Sequence, residues 1–270
     1  MSDSLLVEFD FSDFPFHSLT NSDLNSLLTP YCFKISDINS DLKELVNNLF
    51  PDVSQNDCSF GYYSSVQLND IVNKFKKNTR TLKMFHVNIR SLNCNYLKLI
   101  EFLTVCSFQF DIIVLSEIWS SNIVYMQNIL VGYTFFYKIS TVCKAGGVGI
   151  FVKNDLNPKL KNSLSDIGKN DTHLEHIWIE FTIKSKKYCV GGFYRHPNTP
   201  VNSFTDILAK ILHKINKNTN YFILGDMNID LCKYDKDPNT KLYVDLMCSF
   251  NLIPYSFFTY KNNLYLSYNY

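Results

Sequence analysis

FILGDMNIDL, residues 222–231, is a short apolar run that breaks off at Gly225 and then offers Asp226 and Asn228 in quick succession. With Tyr221 ahead of it, the run Tyr221–Leu224 reads as a strand covered on both faces, because such strands lose the apolar–polar alternation of half-exposed ones. Gly225 permits a tight exit. Polar residues placed where a buried strand stops lie at the sheet edge where α/β proteins build their sites. Two earlier stretches share the design. HVNIRSL (86–92) closes the strand expected over Leu82–Ile89 with Asn88 and Arg90, and DIIVLSEIW (111–119) closes Asp111–Leu115 with Glu117. A single acid after a strand is most often a turn or a helix cap, and the three pieces taken separately do not establish a site. Asn88, Glu117, Asp226 and Asn228 together would form an oxygen-rich cluster suited to Mg²⁺ or Mn²⁺, a hard cation that takes few protein ligands and keeps open water positions. A metal held there polarises a phosphoryl oxygen, and Asp226 would orient or deprotonate an attacking water.

Outward from these three points the pattern continues. Asn93–Cys106 has Tyr96, Leu99, Ile100 and Leu103 at helical spacing, with Asn93 as a candidate cap. Tyr133–Tyr137, Gly147–Val152, His176–Phe181 and Tyr188–Tyr194 read as strands. Ser203–Ile215 is the clearest helix, with Phe204, Ile207, Leu208, Ile211, Leu212 and Ile215 on one stripe, and Thr240–Phe250 is a further helix. Strands mixed with helices predict a layered α/β fold with mixed sheets.

Residues 1–60 differ. They hold two lysines against eight aspartates and two glutamates, a net of −8, while the remainder carries +9 from 24 basic and 15 acidic residues. The basic part suits a polyanionic partner. Residues 1–80 are expected to be an acidic, mostly flexible leader with short helices over 37–50 and 66–77. The basic cluster Lys74, Lys76, Lys77, Arg80 and Lys83 reads as a solvated helix end that is also placed to touch phosphates. An apolar fraction of 46% excludes wholesale disorder. No run of 18 apolar residues predicts a membrane span, and the acidic N-terminus is no secretory signal. Eight isolated cysteines without a C-x-x-C pair predict free thiols in a reducing, intracellular compartment.

Other features point to packing. AGGVGI (145–150) lacks the Lys-Ser/Thr of a phosphate loop and reads as a glycine-loosened approach to a strand. His173 and His176 have neither an H-E-x-x-H context nor cysteine support for zinc. Trp119 and Trp178 read as core or edge packing, with base stacking as the lesser alternative. Arg90 and Arg195 border the cluster, where each is open to DNA phosphate or to a structural ion pair.

In order, HVNIRSL, LSEIW, AGGVGIFV, HIWIEF, GGFYRHPNT and LGDMNIDL resemble the endonuclease/exonuclease/phosphatase family, and NIRSL and YRHP resemble most the apurinic-endonuclease-like domain of non-LTR retrotransposon polyproteins. The resemblance spans about Leu82–Pro254 and implies a DNase I-like α/β sandwich of four layers, two packed mixed sheets flanked by helices. It implies that Asn88 and Glu117 hold the divalent metal, that Asp226 and Asn228 position the water and the scissile phosphate, and that Tyr194 contacts the phosphate. Asn198 matches an asparagine that follows, one residue further along than in the family pattern. Arg90, Arg195 and Asn198 become candidate DNA contacts. The implied activity is nicking of target DNA to prime reverse transcription, with a reverse-transcriptase module as partner, in the nucleus for a working element and otherwise in the cytoplasm; oligomeric state is not implied. The family ends in a strand carrying an aspartate and then a Ser-Asp-His motif. Here the chain runs SFFTYKNNLYLSYNY after NLIPY, with no S-D-H. The expectation is therefore a C-terminally truncated domain over 81–254 whose last strands are missing, followed by an aberrant tail at 255–270 from a frameshift or an incomplete reading frame. Two alternatives stay open: an inactive remnant that at most binds nucleic acid, and a phosphatase of the same fold.

Overall fold

Even-numbered residues of the strand Leu82–Asn88 face a second sheet, and odd-numbered ones face a helix. Leu82 and Met84 join an apolar cluster with Ile112, Val114, Ile177, Ile179, Val190, Phe222 and Leu224, whereas Phe85 and Val87 join Leu92, Leu99, Phe110, Ile113 and Leu115. Alternate side chains of a strand point to opposite faces, so two apolar faces place this strand inside a sandwich. The computed structural model describes residues 4–10, 82–106, 109–119, 123–141, 143–168, 174–216, 219–250, 252–254 and 264–267. The helices expected over 37–50 and 66–77, the lysines and arginine at 74–80, His173, Cys32 and Cys58 lie outside them.

The first sheet contains β1 (Ser4–Asp10), β2 (Leu82–Asn88), β3 (Ile112–Ser116), β4 (Tyr133–Lys138) and β5 (Val148–Lys153), in the order β1-β2-β3-β5-β4. The first three are parallel and the last two antiparallel. The second contains β6 (Lys159–Leu160), β7 (Leu174–Ile183), β8 (Lys186–Arg195), β9 (Asn220–Asp226), β10 (Ile253–Pro254) and β11 (Leu264–Ser267), in the order β10-β11-β9-β8-β7-β6. Among the described strands of this sheet, β8 and β9 are the one parallel pair. Both sheets are mixed, and β2 and β3 lie over β8 and β9. Helix α1 (Leu92–Val105) covers the first sheet. A short α2 (Asn162–Ser165) precedes β7, while α3 (Val201–Lys214) and α4 (Pro238–Ser249) cover the second sheet. The order is helix, sheet, sheet, helix, which is the four-layer architecture expected.

Local chemistry explains the element ends. Phe204, Leu208, Ile211 and Leu212 of α3 are buried against Trp178, Phe193 and Ile223, and each fully buried large apolar side chain stabilises by about 1.5–3 kcal/mol. Helix α4 starts two residues earlier than its periodicity indicated, because Asp237 caps it by accepting from Asn239 N (3.0 Å) and Pro238 fills a first-turn position. Helix α1 starts at Leu92 with Ser91 at the cap position, so Asn93 lies inside it and is not its cap. The chain entering it is instead held by Asn95 Nδ2, which donates to the carbonyls of Ile89 and Arg90 (2.9 Å each).

Two strands fall where none was expected. Ser4–Asp10, within the leader, runs parallel to β2 in the register Asp10↔Asn88. Leu264–Ser267, within the tail, pairs antiparallel with β9 in the register Leu264↔Gly225. The second sheet thus extends past residue 254. The sequence of β11 is LYLS, without the aspartate that the family resemblance places on a last strand. Cys94, Cys106, Cys143, Cys189 and Cys248 are free thiols, as their isolation in sequence predicts. Among the described residues no helix is long and apolar enough to cross a membrane.

Candidate active site

Parity carries three polar side chains into the gap between the sheets. Asn88, at the end of β2, continues the face of Leu82 and Met84; Asp226, at the end of β9, continues that of Phe222 and Leu224; Tyr194 continues that of Val190. Register aligns the ends, with Tyr194 opposite Asp226 and Asn88 opposite Ser116. Glu117 follows β3 directly. The Asn88 Nδ2 group donates to both carboxylates, to Glu117 Oε1 at 2.9 Å and to Asp226 Oδ2 at 3.0 Å. The two acids therefore stand no further apart than those two bonds laid end to end, although they come from different sheets.

Glu117 is held by uncharged donors. Oε1 accepts also from the Tyr194 hydroxyl (3.2 Å), and Oε2 accepts from Trp119 Nε1 (3.1 Å). Asp226 is 2% exposed, and its Oδ1 accepts from the backbone N–H of Asn228 (3.0 Å). Burial, then the negative charges of Glu117 and Asp226, push the Tyr194 hydroxyl pKa far up, so it remains a proton donor at any physiological pH. One step below, His86 Nε2 and Ser116 Oγ share a buried hydrogen bond of 2.9 Å that ties β2 to β3 beneath Asn88 and Glu117.

The backbone around this cluster is held in an uncommon conformation. Arg90 (φ 44°), Ser91 (φ 86°), Glu117 (φ 56°), Trp119 (φ 54°) and Asn228 (φ 51°) all have positive φ without being glycine. Each such residue costs on the order of 1–3 kcal/mol unless its surroundings enforce it, and strain of this kind concentrates at functional sites. Enforcement is visible: Ser91 N donates to Glu117 O (2.8 Å), Leu92 N to Ile118 O (2.9 Å) and Trp119 N to Gly146 O (2.9 Å). The last bond gives the AGGVGI stretch its role. Gly147 has φ 87°, and a Cβ there would meet Ile118 Cγ1 at 2.6 Å, so only glycine lets the loop lie against the chain that carries Glu117.

Gly225 serves Asp226 in the same way. Its φ is 148°, and a Cβ would fall within the backbone of Phe193 on β8. The tight exit expected from sequence is thus a close approach of two strands, and it sets the aspartate beside Tyr194.

Of the eight residues expected at the site, the structure brings five together: Asn88, Glu117, Tyr194, Asp226 and Asn228. Asn228 Nδ2 points away from the carboxylates and donates to Arg195 O (2.7 Å), while its backbone N–H serves Asp226. Arg90 is exposed at the rim, its N–H donating to Asn88 Oδ1 (3.3 Å), and Asn198 is exposed in the turn after β8. Arg195 is the exception. It was expected at a DNA phosphate or in an ion pair, but it lies one residue past Tyr194 and so projects from the opposite face of the sheet. There it is 3% exposed, and its guanidinium donates to the carbonyls of Met227 (2.5 Å), His196 (3.3 Å), Thr199 and Asn228. These bonds clamp the turn after β8 to the segment carrying Asn228. Trp178 is core, as read from sequence, but Trp119 is 37% exposed and bonded to Glu117, so it belongs to the site. His176 is buried, with Nε2 donating to Ile167 O (2.8 Å), and burial lowers its pKa from 6.5 to about 4; it is a neutral core histidine. Glu175, which sequence reasoning passed over, stands 4% exposed opposite Tyr194, where it accepts from Gly147 N and from His196 Nε2 (3.1 Å).

Among the described residues no three His, Cys, Asp or Glu side chains are grouped so as to hold a metal ion by themselves. The candidate ligands are the carboxylates of Glu117 and Asp226 and the carbonyl oxygen of Asn88, all oxygen atoms; the Asn88 Nδ2 group, which here donates to both acids, cannot itself bind a cation. That set fits a hard divalent cation that keeps part of its water shell and does not fit a nitrogen- and sulfur-bound one.

A profile described as the "Endonuclease/Exonuclease/phosphatase family" matches residues 86–267. Similar solved structures include the endonuclease domain of TRAS1, a telomere-specific non-LTR retrotransposon, at 13% identity and a TM-score of 0.52, covering 68% of this chain and 83% of that one. An AP endonuclease from Archaeoglobus fulgidus aligns at 14% identity and a TM-score of 0.49, over 67% of this chain and 85% of its own. A 3′-5′ exonuclease from Neisseria meningitidis aligns at 14% identity and a TM-score of 0.46, over 68% and 86%. A comparison with curated proteins returned no match.

Proposed function

Because the chain belongs to the endonuclease/exonuclease/phosphatase family, whose members generally depend on a divalent metal, we propose that it is a metal-dependent phosphodiester hydrolase: the DNA endonuclease of a non-LTR retrotransposon, nicking target DNA so that the 3′ hydroxyl primes reverse transcription. The observation that carries this reading is the convergence of Glu117 and Asp226 on the Asn88 amide, from three strand ends in two sheets. Glu117 and Asn88 would hold Mg²⁺ or Mn²⁺, with Asp226 close by. When bound, the ion supplies charge stabilisation at phosphoryl oxygens.

The chain's own residues supply the rest. Asp226, fixed by donors on both oxygens, is placed to accept a proton from an attacking water at its carboxylate. Tyr194, kept protonated by burial and by the two acids, has an O–H that now serves Glu117 and would be available to a phosphate oxygen. Asn88 and Asn228 keep Asp226 in one orientation. Arg90, exposed at the rim, is suited to the neighbouring phosphates of the strand, and Asn198 flanks it from the turn after β8. The reverse transcriptase of the pathway would be a separate module of the intact element, and the nucleus its place of work.

A second reading has one observation in its favour. The strand β11, which pairs with β9, has the sequence LYLS and carries no carboxylate. A missing electrostatic contributor costs about 10²–10³ in rate, and the same fold would then bind nucleic acid without cutting it. One experiment separates these readings. The full chain is incubated with supercoiled plasmid and Mg²⁺ or Mn²⁺, in parallel with a mobility shift and with phosphomonoester substrates. Open-circular product that disappears in Asp226→Ala supports the endonuclease. A shift without nicking supports the binder, and phosphate release alone the phosphatase. Nicking that survives Asp226→Ala refutes the mechanism.

A further inference from the structure

Beside the carboxylate cluster, but separate from it, three side chains from three segments form a line. Glu175, near the start of β7, is buried; its Oε2 is occupied by Gly147 N, and its Oε1 lies 3.1 Å from His196 Nε2. His196 follows β8 and is 15% exposed. Its other ring nitrogen, Nδ1, faces the Sγ of Cys143 at 3.9 Å, and Cys143 is exposed in the loop before β5. The thiol donates its proton to the Ala145 carbonyl (2.5 Å), and rotation about the Cβ–Sγ bond turns that proton towards Nδ1.

The order of these contacts gives each atom a task. A carboxylate oxygen facing Nε2 selects the tautomer with the ring proton on Nε2, in which Nδ1 keeps a lone pair on the side of the thiol. A carboxylate that orients an imidazole, which in turn faces an accessible nucleophile, is the general arrangement for activating that nucleophile. The glycines preserve the line: a Cβ on Gly146 would come within 2.9 Å of both Glu175 Oε2 and His196 Cε1.

We propose that Cys143 is a modification site for small disulfides, with His196 as its base and Glu175 as the residue that positions His196. The thiol proton passes to His196 Nδ1. The sulfur attacks one sulfur of the reagent, the reagent's S–S bond breaks, a Cys143 mixed disulfide forms, and the other half leaves as a thiolate. Glutathione disulfide is a substrate of this class. Because the His196 ring packs edge-on against Tyr194 (centroids 4.8 Å apart, 77° between planes), an adduct on Cys143 also disturbs the hydroxyl that holds Glu117. That consequence rests on the function proposed above; the reactivity does not.

The test uses the full chain and glutathione disulfide, with an acid quench and peptide mass spectrometry to follow each cysteine. Cys94, exposed on α1, is the internal reference for reagent access. Native Cys143 is expected to react faster than the same cysteine in the urea-unfolded chain. His196→Asn or Glu175→Gln is expected to slow Cys143 about tenfold or more while the Cys94 rate holds. Native Cys143 reacting no faster than in the unfolded chain would overturn the proposal without any variant. So would an unchanged Cys143 rate in His196→Asn.

Discussion

Replacing Arg195 by methionine separates two roles that an arginine beside a nuclease-like cluster can have. If the residue grips DNA, the substitution weakens binding and reduces its salt dependence while leaving the fold alone. The structure assigns the opposite result. The guanidinium donates to four main-chain carbonyls, those of His196, Thr199, Met227 and Asn228. Burial disfavours its charge, whereas Asp226 favours it. His196 and Asn228 are partly exposed, so water can replace the lost donor there. Thr199 and Met227 are 5% and 1% exposed, and their carbonyls stay dry. Two buried acceptors that lose a charged donor, at about 1–3 kcal/mol each, offset in part by relief of a desolvated cation, give a net loss of about 3 kcal/mol. Methionine nearly conserves the volume of the stem, so a cavity contributes little. The assay is urea unfolding at equilibrium, read by circular dichroism, with the slope checked for constancy. Arg195→Lys keeps the charge but cannot span four acceptors from one ammonium and should recover less than half of the loss. An Arg195→Met chain within about 1 kcal/mol of wild type refutes the clamp, and a simultaneous fall in DNA affinity would return Arg195 to the role expected from sequence.

Two further outcomes are expected. Burial holds the His176 pKa at about 4 against an ordinary 6.5, so the unfolded chain binds this proton more readily; the stabilisation is complete above about pH 6.5 and is lost as pH falls towards 4, by about 3 kcal/mol. His176→Phe should flatten that slope in urea titrations, and an unchanged slope would show that other groups cause it. Trp119 is the accessible one of two tryptophans, Trp178 being fully buried, and its indole N–H is bonded to Glu117. Adding Mg²⁺ without DNA should therefore change an emission signal that Trp119→Phe abolishes, and no change at millimolar Mg²⁺ would count against Glu117 as a ligand.

The readings that held and those that shifted divide along a physical line. Asn88, Glu117 and Asp226 were legible because each follows a run of apolar residues, and a polar side chain at the end of a buried strand has few places to be except the sheet edge. The distinction between Tyr194 and Arg195 was not legible. Both end a strand whose two faces are buried, in one case by the other sheet and in the other by α3 and α4, so no alternation marks which neighbour turns inwards. A shift of one residue exchanges the faces, and only the partner sheet decides it. Glu175 was hidden for a related reason: it begins its strand, and it meets Tyr194 only through the hairpin register that puts the start of β7 opposite the end of β8. Ser4–Asp10 and Leu264–Ser267 illustrate the third case. A strand added beside a distant partner is specified by the hydrogen bonds it completes there, and the partners of these two, β2 and β9, lie far along the chain. The line from Glu175 through His196 to Cys143 has the same origin. Three segments are brought to one sheet edge by pairing and by a glycine loop, with no sequence spacing to announce them, and so the reactivity of Cys143 tests the assembled sandwich rather than any motif.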